Sequence, residues 1–161
     1  MSRAALVFFL LASVAAAAPG PVPVDAAVGA VLDDWHAAAA SGDEARYFSH
    51  FAPNAIFLGT DGTERWTVEQ FRRYAHPYFA KGKAWSFKVV ERHIFLPPDG
   101  SAAWFDERLA TPNLGPARGT GVLVRSSGAW KIAQYNLSVP IPNALTKEFK
   151  KRIEAHGKGS R

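Results

Sequence analysis

The sequence predicts an α+β fold in which N-terminal helices pack against one face of a curved antiparallel sheet and close it into a cone with an apolar interior. Three observations carry this expectation. The strong helical periodicity precedes residue 84, four strand-like runs separated by turn residues follow it, and every turn between those runs is short enough for antiparallel neighbours. Helices that precede such a meander can cover only one face of a curled sheet, so the other face is left outward.

The elements follow in order. Val28, Val31, Leu32, Trp35 and Ala39 recur at helical spacing from Asp25, and Ser41-Gly42 ends this first helix. Asp43 caps a shorter second helix that sets Tyr47, Phe48 and Phe51 on one side before Ala52-Pro53-Asn54 breaks it. A short strand, Asn54 to Leu58, ends at the turn Gly59-Thr60-Asp61-Gly62. Thr67 caps a third helix, Val68 to Ala80, rich in aromatic residues and stopped by Lys81-Gly82-Lys83. The strands then run from Trp85 to Leu96, Ala102 to Ala110, Arg118 to Arg125 and Trp130 to Val139, and Pro140 and Pro142 end the sheet. Leu145, Phe149 and Ile153 form a weak helical stripe beyond them.

With 161 residues the chain supports one domain and one core. Its start reads as an export signal: a basic Met1-Ser2-Arg3, an apolar run from Ala4 to Val14 and an alanine-rich processing site, with cleavage expected after Ala17. The run to Ala18 falls short of the ~20 residues that span a bilayer, so no stable membrane anchor is expected. The predicted organisation is a signal over 1–17, a linker over 18–25, the domain over 26–143 and a basic tail over 144–161, in a bacterial protein that is periplasmic or secreted. There is no cysteine, which removes disulfides, zinc thiolates and a thiol nucleophile. The net charge is +5, yet the stretch from Ala18 to Asn143 holds twelve basic and twelve acidic residues, and the excess lies in the tail. A neutral body with a basic terminus argues against nucleic-acid recognition. His50, His76, His93 and His156 show no paired ligand spacing, so no metal and no cofactor is expected.

Polar residues set among the tryptophans of the sheet mark a candidate pocket, because a buried polar group costs about a kcal/mol or more unless it is paired. Strict alternation in the last strand puts Trp130, Ile132, Gln134, Asn136 and Ser138 on one face, with Lys131 marking the opposite face as outward. Gln134 and Asn136 are then expected to point inward, and Tyr135, Leu137 and Val139 to leave an apolar outer face suited to a homodimer. In the preceding hairpin, Arg108 directly opposite Arg118 would be repulsive. A register shifted by one residue instead sets Phe105 and Glu107 on the face of Arg118, pairs Glu107 with Arg118 inside the cone and stacks Trp104 over Gly119 and Gly121. Trp35, Glu64 and Trp66 complete the expected lining, with Glu64-Arg65-Trp66 near the mouth. Glu107 and His36 are the candidates for acid-base chemistry.

The order of elements, together with the opening WHAAAASGDEARYFSHFAPNAIFLGTDGTERW, the strand AWFDE, RGTGVLV and the closing WKIAQYNLS, resembles the SnoaL-like domains of the nuclear transport factor 2-like superfamily over about Ala26 to Asn143. The resemblance implies a cone-shaped, cystatin-like roll, often dimeric through the outer sheet face, in a superfamily that includes isomerases, cyclases, epoxide hydrolases, dehydratases and non-catalytic binding modules. Gln134 and Asn136 stand where many relatives carry histidine, and neither amide can act as a general base. Asp106-x-Arg108 lacks the second aspartate of the epoxide-hydrolase group, so that activity is not carried over. Three readings follow: an exported domain binding a small, largely apolar molecule with a polar or anionic end; a cofactor-independent isomerase, cyclase or hydratase using Glu107 or His36; and a dimeric interaction module with a filled cone.

Overall fold

A computed structural model describes residues 23–159, so the expected export signal and its cleavage site lie outside the described residues. Helices α1 (Val24–Ala40) and α2 (Glu44–Ser49) are followed by strands β1 (Phe51–Leu58) and β2 (Arg65–Thr67) and by helix α3 (Val68–Phe79). Strands β3 (Lys88–Phe95), β4 (Ala102–Thr111), β5 (Gly115–Ser126) and β6 (Ala129–Ser138) complete the sheet, and a short 3-10 turn leads into α4 (Thr146–Gly159). The six strands lie in the order β2-β1-β6-β5-β4-β3.

The α+β expectation holds, with two additions. Strand β2 forms from Arg65-Trp66-Thr67, where the sequence predicts no strand, because Ile56 pairs with Thr67, Phe57 with Trp66 and Leu58 with Arg65. Strand β1 begins at Phe51 rather than Asn54 and runs parallel to β6, so the sheet is mixed. Pro53 is tolerated because the β1–β6 ladder is interrupted between Phe51 and Ile56.

Helix α1 buries Val28, Leu32, Trp35 and Ala39 in the predicted stripe, and Ala38 and His36 with them. Tyr47 and Phe48 of α2 and Phe71 and Phe79 of α3 meet this stripe over Phe51, Ala55, Phe57, Phe105, Leu123, Ile132 and Tyr135 of the sheet. Each large apolar side chain among these contributes about 1.5–3 kcal/mol on leaving water. The α1–α2 corner is held by Asp34, which accepts from Arg46 Nε at 3.1 Å and meets His50 Nε2 at 2.8 Å. Gly42 turns that corner at φ +71°, where a Cβ would also enter the backbone of Gly82. Thr67 and Gln70 form a reciprocal capping box that starts α3 at the cone's rim.

Candidate functional site

Two β-bulges decide which side chains enter the cone. In β6, Val122 pairs with Gln134 but Leu123 pairs with Ile132, so Ala133 is an extra residue and the alternation slips by one. Trp130 and Ile132 face inward before the bulge, and Tyr135 faces inward after it. This corrects the expected orientation of the strand's second half: Gln134 is exposed and Asn136 half-buried, while Tyr135 is fully buried and Leu137 packs on the core. In β3, Val89 pairs with Leu109 and Glu91 with Arg108, which leaves Val90 as the extra residue and turns Arg92 and Ile94 toward α1.

The β4–β5 register is also the one the sequence reading rejected. Arg108 lies directly opposite Arg118, and Glu107 opposite Gly119. Steric fit inside the cone fixes this register. A Cβ on Gly119 would overlap the Tyr135 hydroxyl and lie 2.8 Å from Glu107 Oε1, and one on Gly121 would lie 2.8 Å from the Phe105 ring. The two glycines therefore have to face inward, which sends Arg118 out to solvent with Trp104 and Arg108. Arg108 relieves the repulsion by donating to Glu91 across β3 at 2.8 Å. Glu107 and Arg118 are thus not a pair, and Trp104 does not stack on the glycines.

Glu107 has other partners. Its side chain is 0 % exposed and accepts from Arg92 Nε at 2.9 Å and from the Tyr135 hydroxyl at 3.2 Å, and its Oε1 lies 2.8 Å from His36 Nε2. Arg92 also donates through Nη1 to Asp33 at 2.7 Å and to the Gly29 carbonyl at 3.2 Å, which ties β3 to α1. Burial alone would raise the Glu107 carboxyl, but hydrogen bonds and charge from His36 and Arg92 outweigh it and hold the group below the usual carboxylate range. An ionised carboxylate only accepts, so His36 Nε2 carries the proton in this contact. Burial first, and the Glu107 charge next, push the Tyr135 phenol well above its usual range, which keeps it a donor. The network joins one helix and three strands through a single anion, and an anion saturated by three donors is a poor proton acceptor.

The accessible concavity lies above this base. A cavity of about 250 Å³ opens at the cone's mouth, walled by Phe57, Trp66, Phe71, Tyr74, Tyr78, Trp85 and Phe87. Thr60 and Glu64 of the β1–β2 turn, Thr111, Asn113 and Leu114 of the β4–β5 turn, and Leu137 close its rim. Trp66 stacks on Tyr74 at 4.6 Å and on Phe71 at 5.5 Å between ring centroids, and Phe57 on Phe71 at 3.8 Å. Phe71 is buried beneath, while Tyr74 and Tyr78 are partly exposed along the same helix. Glu64 folds back over Gly59, where a Cβ would lie 2.9 Å from its carboxyl carbon, and accepts from the Asp61 amide at 3.1 Å. A hydrogen bond with Tyr78, partial burial and the nearby Glu64 charge push the Tyr74 phenol up to about 12.

Of the residues expected to line a pocket, Glu64 and Trp66 do so. Trp35, Phe105 and Glu107 are buried beneath the cavity in the core and base, and Arg118, Gln134 and Asn136 are on or toward the outer face. His36 is separated from the cavity by Phe87, whose ring meets the imidazole edge-on at 5.7 Å. Tyr74, Tyr78, Trp85 and Phe87 were not singled out in sequence as pocket residues. Their signal is the run of aromatic residues along α3 and the segment after it, which without a fold reads only as core. A larger and shallower depression of about 660 Å³ lies along the β4–β5 hairpin end beside Arg108 and Arg118. Among the described residues no three His, Asp or Glu side chains cluster to hold a metal, and no helix is long and apolar enough to cross a membrane.

Helices and a curved sheet closing on an aromatic mouth define a cone-shaped domain of the nuclear transport factor 2-like class. The chain belongs to the SnoaL-like domain family, whose model matches residues 28–142. Among solved structures it is similar to a nuclear transport factor 2-like protein of unknown function from Pseudomonas putida (12 % identity over 74 % of this chain and 89 % of that one, TM-score 0.62). It is also similar to a protein of unknown function with a cystatin-like fold from Nostoc punctiforme (13 % identity, 71 % and 90 % covered, TM-score 0.60). A cystatin-like fold protein from Burkholderia xenovorans aligns at 17 % identity over 74 % and 94 % of the two chains, with a TM-score of 0.59. No curated protein matches the chain. At these identities the likenesses establish the fold.

Proposed function

We propose that this is an exported SnoaL-like domain that binds a small, largely apolar molecule in the mouth of its cone. The observation that carries this reading is the 250 Å³ cavity walled by seven aromatic side chains, with Thr60, Glu64, Thr111 and Asn113 as the polar groups at its rim. Apolar walls with a few convergent polar groups are the common form of a small-molecule site, and this volume suits a ligand below drug size. Catalysis is not required by the geometry. Neighbours named as dehydratase and ketosteroid isomerase candidates share the fold at 17 % and 18 % identity. In this chain, however, the two acid-base candidates, Glu107 and His36, hydrogen-bond to each other beneath Phe87 rather than facing the cavity. The domain pairs with a second copy through the outer sheet face, where Trp104 and Phe95 stack at 5.9 Å, each 46 % exposed.

Titration of the purified domain with a hydrophobic fluorophore tests the binding reading. Trp66→Ala removes one wall and is expected to weaken binding at least tenfold, the scale of losing a buried aromatic contact. Equal affinity in the variant and the parent would refute the assignment of the site.

A further inference from the structure

The ligand class follows from the charge of the mouth, and the inference rests on the binding reading above. Glu64 is the sole ionisable carboxylate or base among the cavity's lining residues; no Lys, Arg or His joins it. The guanidinium expected to receive an anionic end, that of Arg118, is on the opposite face of the sheet. The remaining lining presents ring systems whose faces carry negative potential, and Trp66, Tyr74, Tyr78 and Trp85 supply the two ring types that attract cations most strongly. A carboxylate held over Gly59 at the rim adds to that potential. An anion entering this space would meet the Glu64 carboxylate and the ring faces and lose its hydration, whereas a cation would replace part of its hydration with rings and a carboxylate.

We propose that the mouth selects an organic cation, a compact apolar or aromatic body carrying an ammonium group, with Glu64 as its counter-charge and Trp66, Tyr74 and Trp85 as its ring contacts. Glu64 sits at the rim rather than the floor, so the apolar body goes in first and the ammonium stays near the opening.

Three probes with one body and different heads test this: 2-phenylethylammonium, 2-phenylethanol and phenylacetate, titrated by calorimetry and by the fluorescence of the wall tryptophans. The expected order is ammonium about tenfold tighter than alcohol, with phenylacetate weakest, a spread that one partly desolvated charge contact supplies. Added salt should narrow the gap between ammonium and alcohol. In Glu64→Gln the ammonium should lose most of its advantage over the alcohol, keeping only the few-fold preference that the rings supply. Continued binding of the alcohol shows that the variant is folded and its cavity open. Equal binding of all three heads by the parent would overturn the charge selection and leave the pocket standing. An ammonium preference undiminished in Glu64→Gln would overturn the role of Glu64. Failure of every probe, together with failure of the hydrophobic fluorophore, would overturn the binding reading itself and this inference with it.

Discussion

Replacing Glu107 tests whether the base of the cone is a structural network. Glu107→Gln keeps shape and volume but turns one acceptor into a donor that faces a donor, and removes the buried one of the two carboxylates that Arg92 meets, leaving it the exposed Asp33. Arg92 is 11 % exposed and its Nη2 is buried without a partner, so little water can replace the lost anion. Removing one member of a buried pair costs about 3–5 kcal/mol, and at this chain length that lowers the melting temperature by roughly 10 °C. Urea and thermal unfolding followed by circular dichroism would measure it. The sign with pH follows from the depressed carboxyl. Folded Glu107 loses its proton more readily than the unfolded side chain, so its contribution is complete above the ordinary carboxylate pKa and is lost as pH falls through the folded value. The stability gap between parent and Glu107→Gln should therefore be widest near neutrality and narrow only as pH falls below the ordinary carboxylate range. A second arm separates pairing from packing: in the Glu107→Leu, Arg92→Met double variant only the part of the loss that comes from the Arg92 charge should return, because His36 and Tyr135 still lack their acceptor. A cost below about 1 kcal/mol for Glu107→Gln, or a gap that widens in acid, would refute the network as described.

Gly119→Ala should cost about 2–3 kcal/mol in urea unfolding, since its Cβ would displace the Tyr135 hydroxyl from Glu107; the shifted register would make the same change harmless. Trp104→Glu should convert the proposed dimer to a monomer in size-exclusion chromatography with light scattering while leaving the fluorophore site intact, because Trp104 lies on the outward face of β4. Together with Trp66→Ala and Glu64→Gln, these variants address base, outer face and mouth separately.

The fold was legible because its signals are local and repeated. Asp43 and Thr67 cap helices where expected, and the α1 stripe is buried as its spacing requires. The site was legible only at Glu64 and Trp66, which sit beside a turn that any reading of this order places at an end of the sheet. Gln134, Asn136 and Arg118 were misplaced for a shared physical reason. Alternation carries information only until a bulge, and Ala133 and Val90 bear no mark of being extra residues. Arg108 opposite Arg118 is repulsive as an isolated pair, but packing decides the register, because two glycines facing the core and a salt bridge to Glu91 outweigh one exposed repulsion. Arg92 was overlooked since, without the bulge, nothing sets it apart from its charged neighbours Glu91 and His93.

The separation of the saturated carboxylate from the aromatic mouth has a consequence for how such a domain diversifies. The anchor that fixes α1 to β3, β4 and β6 lies below Phe87 and uses no rim side chain, while the rim is largely supplied by two turns, Gly59 to Glu64 and Thr111 to Leu114. Turn residues exchange at small cost to the scaffold that carries them. The proposed ligand preference can therefore drift at the opening while the folding free energy stays with the base, and two descendants of this chain could share a core to the last ring yet present mouths of opposite charge.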